Sequence, residues 1–286
     1  MFRADLHCHS TCSDGTMTPI ELIDLALSQG LSGLAITDHD TVSAYEEALE
    51  YAQEKNFQLL SGVEFSAFHL GESVHLLGYG FRLDHEAIQS LCQRHVKRRI
   101  ERATKILEKL ADRGMPIVHE EIIFSAFGVN QKTKGAIVGR PHIAQVMVQK
   151  GYVSSITEAF HKYLGDGRPC CVETSTVSAR ETVDCIHEAG GYAVIAHPHL
   201  IPHSFVIRDL QNMDFDGIEV YYGNLPKHRE ERGLRMANKK EWMITGGSDF
   251  HGSVKPHIRL GASWVGEETF SKLYERFLKH HPQFAF

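Results

Sequence analysis

No apolar run in this chain approaches the roughly 20 residues that a membrane-spanning helix needs. Met1-Phe2-Arg3 leads straight into the first strand candidate with no apolar leader segment, so a cytoplasmic location is expected. Cysteine is scarce. The six residues Cys8, Cys12, Cys92, Cys170, Cys171 and Cys185 in a chain of 286 include no Cys-x-x-Cys pair, which argues against a disulfide framework. Internal repeats and low-complexity tracts are also missing. A formal charge of -6 speaks against a generic nucleic-acid coat. What remains, 42% hydrophobic and 23% charged residues, is a globular composition long enough for one large α/β barrel or two ordinary domains.

Against this background, nine potential metal ligands stand out: His7, His9, Asp14, His39, Glu64, His75, His197, Asp249 and His251. Most follow or end a short apolar run with strand character. In Asp5-Leu6-His7-Cys8-His9, alternation places Asp5, His7 and His9 on one face and Leu6 and Cys8 on the other. Leu34-Ala35-Ile36 runs into Thr37-Asp38-His39-Asp40, and Leu59 to Val63 runs into Glu64. His75 lies within the apolar stretch Val74 to Tyr79. Tyr192 to Ala196 delivers His197, and Trp242 to Thr245 leads through Gly246-Gly247-Ser248 to Asp249 and His251. A lone histidine of this kind is usually a satisfied core residue. Repetition at six strand ends points instead to convergence on one site, as side chains at strand ends do in barrels.

Helix signals separate these strands. Thr18-Pro19 with Glu21 opens a helix that Gly30 stops, and a second runs from Thr41 to about Asn56. Between about 84 and 168 the pattern is helical throughout, with a long segment from Asp84 to about Arg113. Strand and helix alternation then resumes from Val172. Alternation of this kind predicts a parallel sheet. Charge is uneven: residues 94 to 140 carry eleven Lys and Arg against five acids, a local excess of +6 that leaves -12 elsewhere. Such asymmetry suits a segment that handles a polyanion. Arg94, Arg98, Arg102, Lys105 and Lys109 recur at helical spacing, as a solvated face or as a track for RNA, with the solvated face the preferred reading.

The strings Asp5-Leu6-His7-Cys8-His9-Ser10, Ser13-Asp14-Gly15, Thr37-Asp38-His39-Asp40-Thr41, Gly62-Val63-Glu64, Ala196-His197-Pro198 and Gly247-Ser248-Asp249-Phe250-His251 resemble the motif set of the polymerase and histidinol phosphatase (PHP) superfamily. His75-Leu76-Leu77-Gly78-Tyr79, Gly139-Arg140-Pro141-His142 and the stretch Tyr163 to Pro169 resemble its bacterial 3′,5′-nucleoside bisphosphate phosphatases, a subgroup that also trims RNA as 5′→3′ exoribonucleases. The resemblance implies a distorted (β/α)7 barrel from residues 1–83 and 171–286, with a helical insertion, 84–170, capping its mouth. It further implies three divalent ions: His7, His9, Glu64 and Asp249 on the first, Glu64, His75 and His197 on the second, and Asp14, His39 and His251 on the third. Mixed imidazole and carboxylate ligation suits Mn, the expected ion, with Fe or Zn as alternatives, better than Mg or Ca. A metal-bridging hydroxide would then serve as nucleophile.

Asp5, Asp38 and Asp40 flank the ligands, either holding an imidazole by its free N–H or, for Asp40, acting as general acid. Arg140 is a candidate phosphate contact, and Lys132, Lys134, His142 and Arg168 are lesser ones. Where the subgroup often continues Ala-His-Pro with Gly-Arg, this chain has His199-Leu200. His199 either substitutes for that arginine or is simply exposed. The expected activity is hydrolysis of a nucleotide bisphosphate or short RNA, with no membrane and no obligate protein partner. The alternatives are a small-metabolite phosphatase of histidinol-phosphatase type and a non-catalytic metal-binding module, which would be expected to lack ligands.

Overall fold

The protein is described by a computed structural model over residues 1–127, 138–172 and 177–285. Its strands are β1 (Ala4–Cys8), β2 (Gly33–Ile36), β3 (Gln58–His69), β4 (Glu72–Tyr79), β5 (Tyr192–Ile195), β6 (Gly217–Tyr222) and β7 (Met243–Gly247). Its helices are α1 (Pro19–Ser28), α2 (Tyr45–Glu54), α3 (Glu86–Ala111), α4 (His119–Phe127), α5 (Arg140–Gln149), α6 (Ile156–Ala159), α7 (Ala179–Glu188), α8 (Ser204–Leu210), α9 (Lys227–Lys240) and α10 (Glu267–His280). A single π-helical turn, Phe160–Leu164, continues α6. The chain divides into two compact units, Met1–Cys92 with Ser175–Phe286, and Gln93–Thr174, so that the division falls within α3. Among the described residues, no helix is long and apolar enough to cross a membrane.

In the first unit the seven strands form one sheet in sequence order, curled into a nearly closed barrel with the helices around it. Past the end of β7, the Asp249 N–H donates to the His7 carbonyl at 2.7 Å, and the His9 N–H donates to Phe250 at 2.9 Å. These bonds draw the last strand onto the first. The approach is so close that a Cβ on Gly247 would lie 2.3 Å from the His7 nitrogen, so only glycine fits there.

The predicted helix starts hold where capping chemistry is present. The Thr18 hydroxyl accepts from the Glu21 N–H, and the Glu21 carboxylate accepts from the Thr18 N–H, closing a capping box ahead of Pro19. The second helix starts later than expected, at Tyr45 instead of Thr41. Its first residue is also a structural pin: the Tyr45 hydroxyl receives the N–H groups of Ile36 and Gly62, at 3.1 and 2.7 Å, tying β2 to β3.

The expectation of a parallel sheet is corrected at one strand. β4 runs antiparallel to both β3 and β5. The cause is local: β3 and β4 are joined only by Leu70 and Gly71, at φ 49° and 88°, and a two-residue turn of that hand can make only a hairpin. Helical cover lies outside the strands. Leu22, Ile23 and Ala48 pack over β1 and β2, while Val183, Ile186, Val206 and Ile207 pack over β4 to β6.

The second unit has its own apolar core, in which Ile106 and Leu110 of α3 meet Ile122, Ile143, Met147 and Leu164.

Candidate metal centre

Reversal of β4 has a direct consequence for the site. His75 precedes the apolar half of its strand, unlike the other ligand candidates, because in an antiparallel strand the N-terminal part reaches the mouth. Register pairs it with Ser66, one diagonal from Glu64, so two neighbouring strands present Glu64 and His75 together.

Glu64 is the hub. Its Oε1 lies 2.8 Å from His75 Nδ1 and 2.8 Å from His197 Nε2. Its Oε2 lies 3.3 Å from His7 Nε2, 3.2 Å from His9 Nε2 and 3.1 Å from His39 Nδ1. Asp249 Oδ1 approaches His7 Nε2 and His9 Nε2 at 3.5 and 3.3 Å. Asp14 faces His9, His39 and His251 at 3.7, 3.8 and 3.4 Å. All nine ligand candidates are therefore brought together, most of them buried.

A cluster this dense leaves polar atoms unsatisfied. His7 Nε2, His9 Nε2, Asp14 Oδ1, His39 Nδ1 and His197 Nδ1 are buried without a hydrogen-bond partner among the described residues, a state that costs about 1–3 kcal/mol per neutral group. Burial opposes ionisation of Glu64, but His39, His75 and His7 outweigh it and hold the carboxyl well below its usual range. Asp14 and Asp249 are held down similarly, against burial, by His39 and His251 and by His251 and His7 respectively. Burial also works against a charged His9, yet Asp249 and Glu64 raise its pKa to about 9. His39 goes the other way, to about 3, because burial and the neighbouring His9 and His75 prevail over Glu64 and Asp14. Buried acids opposed to imidazoles that cannot all hold protons fit a divalent-ion site, in which lone pairs of both kinds turn to the metal.

Three overlapping groups have ligand atoms close enough to share an ion: His7, His9, Glu64 and Asp249; His9, Asp14, His39 and His251; and His39, Glu64 and His75. The first has the membership that the sequence resemblance implies. In the other two, His9 and His39 recur because each ring has one nitrogen toward Asp14 and the other toward Glu64. His197 stands outside these groups, though hydrogen bonded to Glu64.

An outer layer, largely missed in the sequence, fixes the ligands. Glu219 of β6 is buried, with Oε1 2.8 Å from His7 Nδ1 and Oε2 accepting the His197 backbone N–H at 2.8 Å. That second bond helps hold His197 at a φ of 23°, a strained value for a non-glycine residue. A lone acid in the apolar run Gly217-Ile218-Glu219-Val220 was the available signal. Asp249 Oδ2 accepts from the Tyr222 hydroxyl and from Lys255 Nζ, at 2.5 and 2.6 Å, which leaves Oδ1 for the cluster. His251 Nδ1 lies 2.9 Å from its neighbour's carbonyl, Asp249 O, leaving Nε2 toward Asp14.

The flanking acids serve the backbone. Asp5 accepts the N–H groups of His7, Ser248 and Gly261, and burial pushes its pKa up to about 6. Asp38 accepts from Ser10 and Ser13, bracing the loop that carries Asp14. Asp40, at φ 60°, has its two oxygens on the N–H and hydroxyl of Ser66.

The substrate candidates fare differently. Arg140 Nη1 donates to Asp166 at 2.8 Å and to the Leu164 carbonyl at 3.2 Å, over the Phe160 ring, all within the helical unit. His142 Nδ1 accepts the Gly139 N–H at the start of α5, Arg168 is exposed, and Lys132 and Lys134 lie outside the described residues. Nor is the basic ladder a freely solvated face: Arg102 donates to Val172 O at 2.9 Å and Lys109 to Cys171 O at 2.8 Å. His199 reaches the edge of the centre, its ring 4.6 Å from Tyr222 and 6.5 Å from His197. Burial, with the nearby His197, lowers its pKa to about 4, so it is neutral at pH 7 and does not replace an arginine's charge.

A model of the PHP domain matches residues 5–165. The 5′-3′ exoribonuclease of Haemophilus influenzae is 34% identical over 280 residues, covering 96% of this chain and 99% of that protein. The 3′,5′-nucleoside bisphosphate phosphatase of Chromobacterium violaceum is 30% identical over 256 residues, covering 88% of each. A solved structure from Bifidobacterium adolescentis, described provisionally as a metal-dependent phosphoesterase, has a TM-score of 0.86 at 30% identity and covers 96% of both chains.

Proposed function

The chain belongs to the PHP domain family and is a metal-dependent phosphoesterase, and from that premise we propose that it removes the 3′-phosphate of nucleoside 3′,5′-bisphosphates and shortens RNA from the 5′ end. The observation that carries this reading is the convergence of nine ligand side chains, Glu64 at their hub, in a chain similar over most of its length to proteins named for these two activities.

His7, His9, Glu64 and Asp249 would hold one divalent ion, Glu64, His75 and His197 a second, and Asp14, His39 and His251 a third, with manganese the first choice. Bound there, such ions would supply Lewis acidity toward phosphoryl oxygens and hydroxide near neutral pH. With the three carboxylates ionised and the imidazoles neutral, the loaded centre retains a charge of about +3, which favours a phosphate dianion. Glu64, whose Oε1 faces His75 and His197 and whose Oε2 faces His7, His9 and His39, would contribute to both of the first two sites. Glu219 sets the tautomer and orientation of His7, while Lys255 and Tyr222 keep Asp249 turned inward. Asp40 positions β3 through Ser66.

The test is phosphate release from adenosine 3′,5′-bisphosphate by the manganese-loaded protein, with an Asp14→Ala/His251→Ala control and a 5′-phosphorylated RNA oligomer alongside. Release that the control abolishes, and stepwise shortening of the oligomer, are the expected results. Inactivity on both by protein with bound metal would overturn this reading in favour of a small-metabolite phosphatase.

A further inference from the structure

A cavity of about 270 Å³ opens in the barrel unit beside the metal centre. One end is bounded by Glu219, which holds His7, and by His199, next to Tyr222. Its walls are apolar, from Ile201, Ile207, Val220 and Met236. Two guanidinium groups, Arg229 and Arg232, complete it from α9. They stand three residues apart on one helix face, and Gly233 lets that face close onto Val220, where an added Cβ would meet the valine at 3.1 Å.

These arginines differ from Lys255 and from Arg140, the first candidate for a phosphate contact. Lys255 is committed to Asp249, and Arg140 to Asp166 and Leu164. Neither Arg229 nor Arg232 has a side-chain hydrogen bond or ion pair with another described residue. Both are exposed at the cavity edge and lie in the first half of a 14-residue helix, toward its positive end. Two unpaired forks over an apolar wall match an anion attached to an apolar, ring-bearing body.

We propose that this pocket is the subsite for the phosphate that is not hydrolysed: Arg229 and Arg232 grip the 5′-phosphate of a nucleotide, and the apolar wall takes the adjoining nucleoside, while the 3′-phosphate lies at the metal centre. The assignment rests on the bisphosphatase reading and deepens it, because it makes the second phosphate a determinant of selectivity. On RNA, the same grip holds the 5′-terminal phosphate.

The experiment compares wild type, Arg229→Ala/Arg232→Ala and Arg229→Lys/Arg232→Lys, all manganese-loaded, on adenosine 3′,5′-bisphosphate and adenosine 3′-phosphate. In the alanine variant the ratio of KM for the bisphosphate to KM for the monophosphate rises by about tenfold or more, the loss of at least one charge-assisted contact. The lysine variant recovers part of it. Calorimetric binding of adenosine 5′-phosphate gives a readout free of turnover and weakens in parallel, and melting temperatures verify that the variants fold. An unchanged KM ratio and unchanged 5′-phosphate affinity would overturn the subsite while leaving the bisphosphatase reading intact. A wild type inactive on both nucleotides that still binds adenosine 5′-phosphate through these arginines would sink the activity and keep the subsite.

Discussion

Arg140 in the helical unit and Arg229 in the barrel unit are the same residue type near the start of a helix, with opposite situations. Arg140 is held by an acid, a carbonyl and an aromatic ring of its own unit. Arg229 lines a cavity beside the metal centre with no side-chain partner among the described residues. The same contrast separates the ladder on α3, where Arg102 and Lys109 are spent on backbone carbonyls, from the ligand cluster, where buried lone pairs are left unanswered. Polar groups that satisfy one another build structure. Those that the fold buries or lines up without satisfying are the ones available for chemistry.

Removing the hub of the unsatisfied set should have the largest effect. Glu64→Ala takes away the carboxylate that five imidazoles face, and metal content measured by elemental analysis and phosphoesterase activity should both fall to background. Retention of metal by that variant would break the contrast at its centre. Glu219→Gln is the sharper test of the outer layer. Both of its partners need an acceptor, the His7 Nδ1–H and the His197 N–H, and a glutamine has only one oxygen to offer. Metal affinity should drop by about 10- to 100-fold, read from a chelator competition, with the fold intact by circular dichroism.

Protons offer a third, smaller effect. With no metal bound, Asp249 and Glu64 raise the His9 pKa from 6.5 to about 9 against the opposing effect of burial, so the ring is protonated at pH 7 and metal loading must expel that proton. Affinity should therefore climb as pH rises from 6 to 9, with proton release detected by calorimetry in buffers of different ionisation enthalpy. The linked stability has the matching sign: a pKa raised in the folded state stabilises the metal-free protein fully below pH 6.5, and that contribution is lost as pH rises through about 9. A pH-independent metal affinity would contradict this. Arg140→Ala should do least. Its pair with the highly exposed Asp166 is worth at most about 1 kcal/mol, so a small fall in melting temperature and little change in KM are expected. A large rise in KM would return Arg140 to the substrate.

Much of the centre was legible because ionisable residues placed at the ends of apolar strand runs have few structural explanations. His7, His9, His39, His197 and Asp249 all carry that signature, and the fold brings them together around Glu64. Glu219 carried a weaker one, a single acid inside β6, which pattern alone does not separate from a bulge or an edge. The reversal of β4 was written in Leu70-Gly71 between two alternating strands, a hairpin signal overridden by the prevailing alternation of strand and helix. The fate of the cations was not legible at all. Whether Arg102 meets solvent or Val172 O, and whether Arg229 meets an acid or a cavity, depends on where distant segments fold. No periodicity encodes that.

The most direct test of the central claim is anomalous diffraction from crystals of the manganese-loaded protein. Three manganese peaks are expected, one beside His7, His9, Glu64 and Asp249, one beside Glu64, His75 and His197, and one beside Asp14, His39 and His251. A loaded protein whose manganese lies elsewhere, with Glu64 still hydrogen bonded only to its histidines, would contradict it.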